Sequence, residues 1–161
     1  MNIFDCAIKM EEEARVHYLR LAEAAGTPEM EYLFTVLAQA EREHHDALVE
    51  LKAGAVPPKS RFKALQEVTC LFQPLLARRE LMAELRKAPD AYRTVIGQEQ
   101  KGIGFYLELA AKAKDNEARE LLLRIVDEER RHLSIVENIY SFVESPRNFL
   151  VSGEFSNLEE Y

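Results

Sequence analysis

The chain has no tryptophan and, across 161 residues, only six glycines, six prolines and two cysteines. So few Gly and Pro leave little turn chemistry, which disfavours a fold of many short strands and favours long helices. Cys6 and Cys70 form no Cys-x-x-Cys pair. A thiolate zinc site or rubredoxin-type iron centre therefore cannot be assembled within the chain. Each thiol is expected to be a small buried hydrophobe in a reducing, cytoplasmic compartment. Positive charge is also short. The net charge of −7 argues against a nucleic-acid partner, which would require clustered Lys and Arg, and against an anionic membrane surface. No apolar run is long enough to span a bilayer. The opening "MNIFDCAIKMEEEARV" is acidic and lacks a signal-peptide core.

What is present is helical periodicity. Ile3, Phe4, Ala7, Ile8, Ala14, Tyr18, Leu21, Ala22 and Ala25 mark a first helix over residues 3–25. Gly26 ends it, and Thr27, Pro28 and Glu29 supply an N-cap, a first-turn proline and an acidic first turn for a second helix reaching Ala53. "GAVPP" stops that helix. Residues 54–88 read as a long crossover with shorter helices in "RFKALQEVTCLF" and "PLLARRELMAELRK". A third long helix runs from near Pro89 to Lys114, and Asp115 caps a fourth that continues to about Glu144. The expected domain is residues 1–145. Residues 146–161 are expected to be an extended tail packed on the bundle or on a partner subunit.

The chain also repeats itself. Residues 7–51 fall on 95–139 at a constant offset of 88 without a gap. "YLRLA" at 18–22 meets "YLELA" at 106–110, and Thr27 meets Asp115. Glu11 meets Glu99, and Glu41, Arg42 and His44 meet Glu129, Arg130 and His132. Two similar helical hairpins joined by a crossover make an all-α four-helix bundle.

Glu41 with His44, and Glu129 with His132, are each three residues apart, so each pair shares a helix face. Glu11 and Glu41 flank the first interhelical turn at similar distance, roughly 22 Å at 1.5 Å per residue, and Glu99 and Glu129 flank the second likewise. All six side chains can therefore meet at mid-bundle. They interrupt stripes that are otherwise apolar: Leu37, Leu48 and Leu51 on one helix, Ile125, Val136 and Ile139 on the other. Four buried carboxylates cost several kcal/mol per charge without compensation. Two divalent cations would neutralise them with the imidazoles uncharged. Carboxylate-rich ligation with one imidazole per ion suits iron or manganese better than structural zinc. A single Glu-x-x-His arises by chance in about one such chain in two; two in register on apolar stripes, each with a glutamate 30 residues upstream, carry far more weight.

Nearby residues have plainer readings. His17 and His45 are expected to be packed or surface histidines. Glu12, Glu13, Glu43 and Glu128 are expected on solvated faces. Tyr18 and Tyr106 are core by default, with a hydrogen bond to a ligand carboxylate as the alternative.

"IKMEEEARVHY", "IGQEQKGIGFY", "EREH" and "EERRH" resemble the rubrerythrin-like members of the ferritin-like di-iron carboxylate proteins, and the resemblance covers almost the whole chain. It implies a ferritin-like bundle holding two iron ions, with manganese or zinc as alternatives. Glu41 and Glu129 would bridge the ions and form the catalytic pair. Glu11 with His44, and Glu99 with His132, would each complete one ion. The implied activity is reduction of hydrogen peroxide or O₂, as in defence against oxidative stress, by a homodimer served by a separate electron donor such as a rubredoxin. Peroxide-reducing members usually carry a further carboxylate one turn after the third-helix glutamate, where this chain has Gly102. An iron-binding or ferroxidase protein without peroxidase turnover, and a metal-free helical interaction module, are the alternatives.

Overall fold

A computed structural model describes residues 3–64 and 89–144. Most of the expected crossover and the tail 146–161 lie outside the described residues. Four long helices are seen: α1 (Ile3–Ala24), α2 (Pro28–Lys52), α3 (Pro89–Lys112) and α4 (Asn116–Glu144). Among the described residues one 3₁₀ turn covers Lys59–Arg61, at the start of the expected short helix "RFKALQEVTCLF", most of which lies outside the described residues. No strand occurs among the described residues, and the chain is an all-α four-helix bundle.

The turns form where the sequence places them. Thr27 has extended backbone, φ −130°, and its hydroxyl accepts from the Met30 N–H at 3.3 Å. This satisfies one of the first orphan donors of α2. Asp115 does the same for α4, accepting from the Glu117 N–H at 3.2 Å. Arg119 then reaches back and donates to Ala113 O at 2.7 Å and Ala110 O at 3.3 Å, covering the last carbonyls of α3. Gly54, at φ +89°, turns the chain out of α2 and donates to Leu51 O. A Cβ would be strained in that conformation.

α1 packs along α2, and α3 along α4. The two hairpins join mainly through α1 against α3, while α2 and α4 approach less closely. Two apolar clusters hold the bundle. One gathers Tyr18, Leu33, Phe34, Leu37, Val95, Val136 and Ile139 at the end bearing the α1–α2 turn. The other gathers Ala7, Leu48, Phe62, Tyr106, Leu121, Leu122 and Ile125 at the opposite end. Each fully buried Leu, Ile or Phe contributes on the order of 1.5–3 kcal/mol of transfer free energy. Between these clusters lies a layer of buried charge. No described helix is long and apolar enough to cross a membrane.

Candidate metal centre

The mid-bundle layer contains all six residues singled out in the sequence. α1 brings Glu11, α2 brings Glu41 and His44, α3 brings Glu99, and α4 brings Glu129 and His132. None is more than 3% exposed. They fall into two sets: Glu11, Glu41, His44 and Glu129, and Glu41, Glu99, Glu129 and His132. Within each set the candidate ligand atoms lie within 4.8 Å of one another. Glu41 and Glu129 belong to both sets, which is the placement a bridging carboxylate requires.

The contacts cross between hairpins. His44 Nδ1 is 2.8 Å from Glu129 Oε1, and His132 Nδ1 is 2.7 Å from Glu41 Oε1. The same nitrogens lie 3.7 Å from Glu11 and Glu99, respectively. The two imidazoles stack, 5.6 Å between centroids and 25° between planes. Both therefore turn Nδ1 toward the carboxylates.

Burial and mutual repulsion decide the protonation of the carboxylates. Glu11 and Glu99 are raised well above the ordinary 4.5, first by burial and then by the charges of Glu129 and Glu41. Burial pushes Glu41 the same way, but the charge on His132 and hydrogen bonds from Glu11 and the two histidines hold it well below. Glu129 is also lowered: burial and Glu41 push it up, while hydrogen bonds from Glu99 and His44 outweigh them. Burial opposes charge on both imidazoles, yet the carboxylates win. Glu129, Glu11 and Glu128 raise His44 well above 6.5, and Glu41 and Glu129 raise His132.

The residues fit a pair of divalent cations. Glu11 Oε2 and Glu129 Oε2 are buried and meet no hydrogen-bond donor among the described residues. Buried carboxylate oxygens without donors are costly in a metal-free interior, and oxygen lone pairs aimed into a shared space are what a hard or borderline cation requires. The ligand types and their distribution over four helices are those of di-metal carboxylate bundles.

The family model for rubrerythrin matches residues 2–140. The chain belongs to the rubrerythrin family. No curated protein and no solved structure matches it.

Around the centre of this rubrerythrin, several surroundings differ from the sequence reading. Tyr18 is not merely core: its hydroxyl donates to Glu99 Oε1 at 2.7 Å, and its ring meets His132 edge-on. Its repeat mate Tyr106 is equally buried, but its hydroxyl has no partner among the described residues. A Cβ at Gly102 would sit 3.6 Å from the Tyr106 ring.

Glu128 is the main correction. Expected on a solvated face, it is 2% exposed and places Oε1 2.9 Å from His44 Nε2. The physical reason is that α4 lies between α2 and α3, so adjacent positions of one turn can both be covered. Glu43 is half-buried rather than freely solvated, and it accepts from the backbone N–H groups of Lys63 and Ala64, each at 2.9 Å. That anchors the segment carrying Phe62, whose ring meets His44 at 5.3 Å and 79°. Phe62 lies in the irregular segment and outside the repeat register, so no periodicity points to it. Cys6 is half-buried rather than buried. Cys70 lies outside the described residues. Glu12 is half-buried and pairs with Arg15 at 2.6 Å, and Glu13 is exposed. His17 and His45 are half-buried and outside the ligand sets.

Proposed function

We propose that this rubrerythrin is a non-haem di-iron oxidoreductase that reduces hydrogen peroxide, or O₂, with electrons from a separate donor protein of rubredoxin type. The observation that carries the reading is the pair of overlapping ligand sets that share Glu41 and Glu129. Carboxylate-rich sets with a single imidazole each favour iron over a structural zinc. When bound, two ferrous ions supply one electron each, and with two protons these convert one H₂O₂ into two waters.

The chain's own residues do the rest. Glu41 and Glu129, which belong to both ligand sets, would hold both ions. Glu11 with His44 would complete one ion, and Glu99 with His132 the other. Tyr18 orients Glu99 through its O–H. Phe62 on one side and the two apolar clusters above and below limit water at the imidazoles. The working unit in this proposal is a homodimer.

One observation favours a second reading, an iron-handling protein that oxidises Fe(II) without peroxidase turnover. Gly102 stands one turn after Glu99 and adds no side-chain ligand there, so Glu99 is the only residue of its helix in the two ligand sets and fewer donors would be on hand to support repeated turnover.

The test is metal content by mass spectrometry after anaerobic Fe(II) loading and desalting, wild type beside Glu129→Ala. About two irons per chain in the wild type, lost in the variant, is expected. No retained metal in either protein overturns the reading. Stopped-flow oxidation of the loaded protein then separates the two functions. Repeated peroxide consumption with a rubredoxin donor identifies the oxidoreductase, and a single stoichiometric oxidation identifies the iron-handling protein.

A further inference from the structure

The repeat makes the metal centre nearly twofold, and the departures from that symmetry lie beside the imidazoles. The offset of 88 places Glu128 on Ala40 and Arg124 on Val36. Ala40 and Val36 are buried apolar packing. In the second half the same two positions hold a charged chain of contacts. Arg124 Nε is 3.4 Å from Glu128 Oε2, and Glu128 Oε1 is 2.9 Å from His44 Nε2. His132 has no counterpart: its Nε2 is buried and without a partner among the described residues.

The chemistry of a ligating imidazole makes this asymmetry matter. Both rings point Nδ1 at the carboxylates, so a ligating histidine uses the Nδ1 lone pair and carries its proton on Nε2. For His44, Glu128 accepts that proton's hydrogen bond, which fixes the tautomer and ring orientation and makes Nδ1 a stronger donor. For His132 the same N–H is buried without an acceptor among the described residues, which disfavours the tautomer that ligation through Nδ1 requires. The carboxylate ligands differ in the same sense. Tyr18 donates to Glu99 and draws charge from it, whereas Glu11 Oε2 has no donor among the described residues.

We propose that Glu128 is a positioning residue that makes the two cation positions unequal. The position served by Glu11 and His44 binds a divalent cation more tightly than the one served by Glu99 and His132. The proposal rests on the di-metal reading of the site. Loss of an outer partner of a ligating histidine typically weakens metal binding about 10–100-fold. The two affinities should therefore differ by that order.

The experiment is calorimetric titration of the metal-free full chain with Mn(II) under argon, for wild type, Glu128→Ala, Glu128→Gln and the double variant Arg124→Val with Glu128→Ala. The double variant copies the Val36 and Ala40 arrangement of the first half and leaves no unpaired buried charge, so it keeps the test intact if the single alanine variant folds poorly. Wild type should show two steps about 10–100-fold apart. In the alanine and double variants the tight step should weaken until the steps merge. Gln, whose amide oxygen can accept the same hydrogen bond, should restore most of the separation. Two equal steps in wild type, or unchanged separation in the double variant, overturn the proposal while leaving the di-metal reading in place. No Mn(II) binding by any of the proteins overturns both.

Discussion

The protonation pattern of the centre predicts that loading it with metal expels protons in a countable number. In the metal-free protein Glu11 and Glu99 are raised, Glu41 and Glu129 are lowered, and both imidazoles are raised. With every raised group protonated, two carboxylates and two imidazoliums cancel. With two divalent cations bound, four carboxylates and two neutral imidazoles also sum to zero. Filling the site therefore exchanges four protons for two cations. Each group still protonated at the working pH contributes one tenfold change in apparent affinity per pH unit. Two protons per ion give about a 100-fold gain per pH unit per ion, and this falls toward none as pH rises through the four folded-state values. Mn(II) calorimetry in buffers of different ionisation enthalpy reads the proton count directly and avoids redox chemistry. At about pH 6 the two imidazoliums alone should release two protons per filled site, because both are raised above 6.5. The raised carboxyls add to that count. A release near zero at that pH would refute the pattern, as would an affinity independent of pH.

The same pattern predicts opposite pH limits on stability. Groups raised on folding stabilise the metal-free protein below their unfolded values and lose that contribution as pH rises through their folded values, which here applies to Glu11, Glu99, His44 and His132. Glu41 and Glu129, lowered on folding, contribute above the ordinary 4.5 and lose it as pH falls through their folded values. The gain in Tm on adding Mn(II) should thus widen from mildly acid to alkaline pH; a constant gain in thermal melts would contradict the assignment. The two tyrosines should behave unequally despite their equivalence in the repeat. Tyr18→Phe removes the bond to Glu99 and should cost about 1.5 kcal/mol, or about 3–6 °C in Tm, whereas Tyr106→Phe removes a buried hydroxyl that has no partner among the described residues and should be neutral or stabilising. Equal shifts in the two melts would count against the hydrogen-bond account.

The bundle was legible because its signals are local and occur twice. Thr27 and Asp115 are caps by residue type, Gly54 and the following prolines stop a helix, and each apolar stripe has the period of a helix face. The six centre residues were legible for a different reason: a charged residue on an apolar stripe is anomalous, and the repeat shows the anomaly in the same register each time. The position of Phe62 was not legible. It depends on two backbone N–H groups finding Glu43 across space, a tertiary event that no period records.

Glu128 is the instructive miss, because the signal was available and lay in the repeat rather than in the residue. A glutamate beside Glu129, on a helix rich in charge, reads as solvated by its own chemistry. Its aligned position in the first half is Ala40, one turn after the buried Val36 and Leu37 of α2, and Arg124 aligns with Val36. Two apolar residues at one set of positions mark a buried slot, and a slot that is buried in one hairpin is buried in the other if the hairpins are built alike. Placed there, a carboxylate must find partners or be lost to its desolvation cost. Arg124 and the Nε2 of His44 are those partners. The substitution of an Arg–Glu pair for Val–Ala is thus intelligible only together with a histidine across the interface that has an N–H to donate. For that reason an aligned pair that differs in charge, at a position buried in both copies, is a better pointer to asymmetry in such a centre than the ligands themselves, which are the same in both halves.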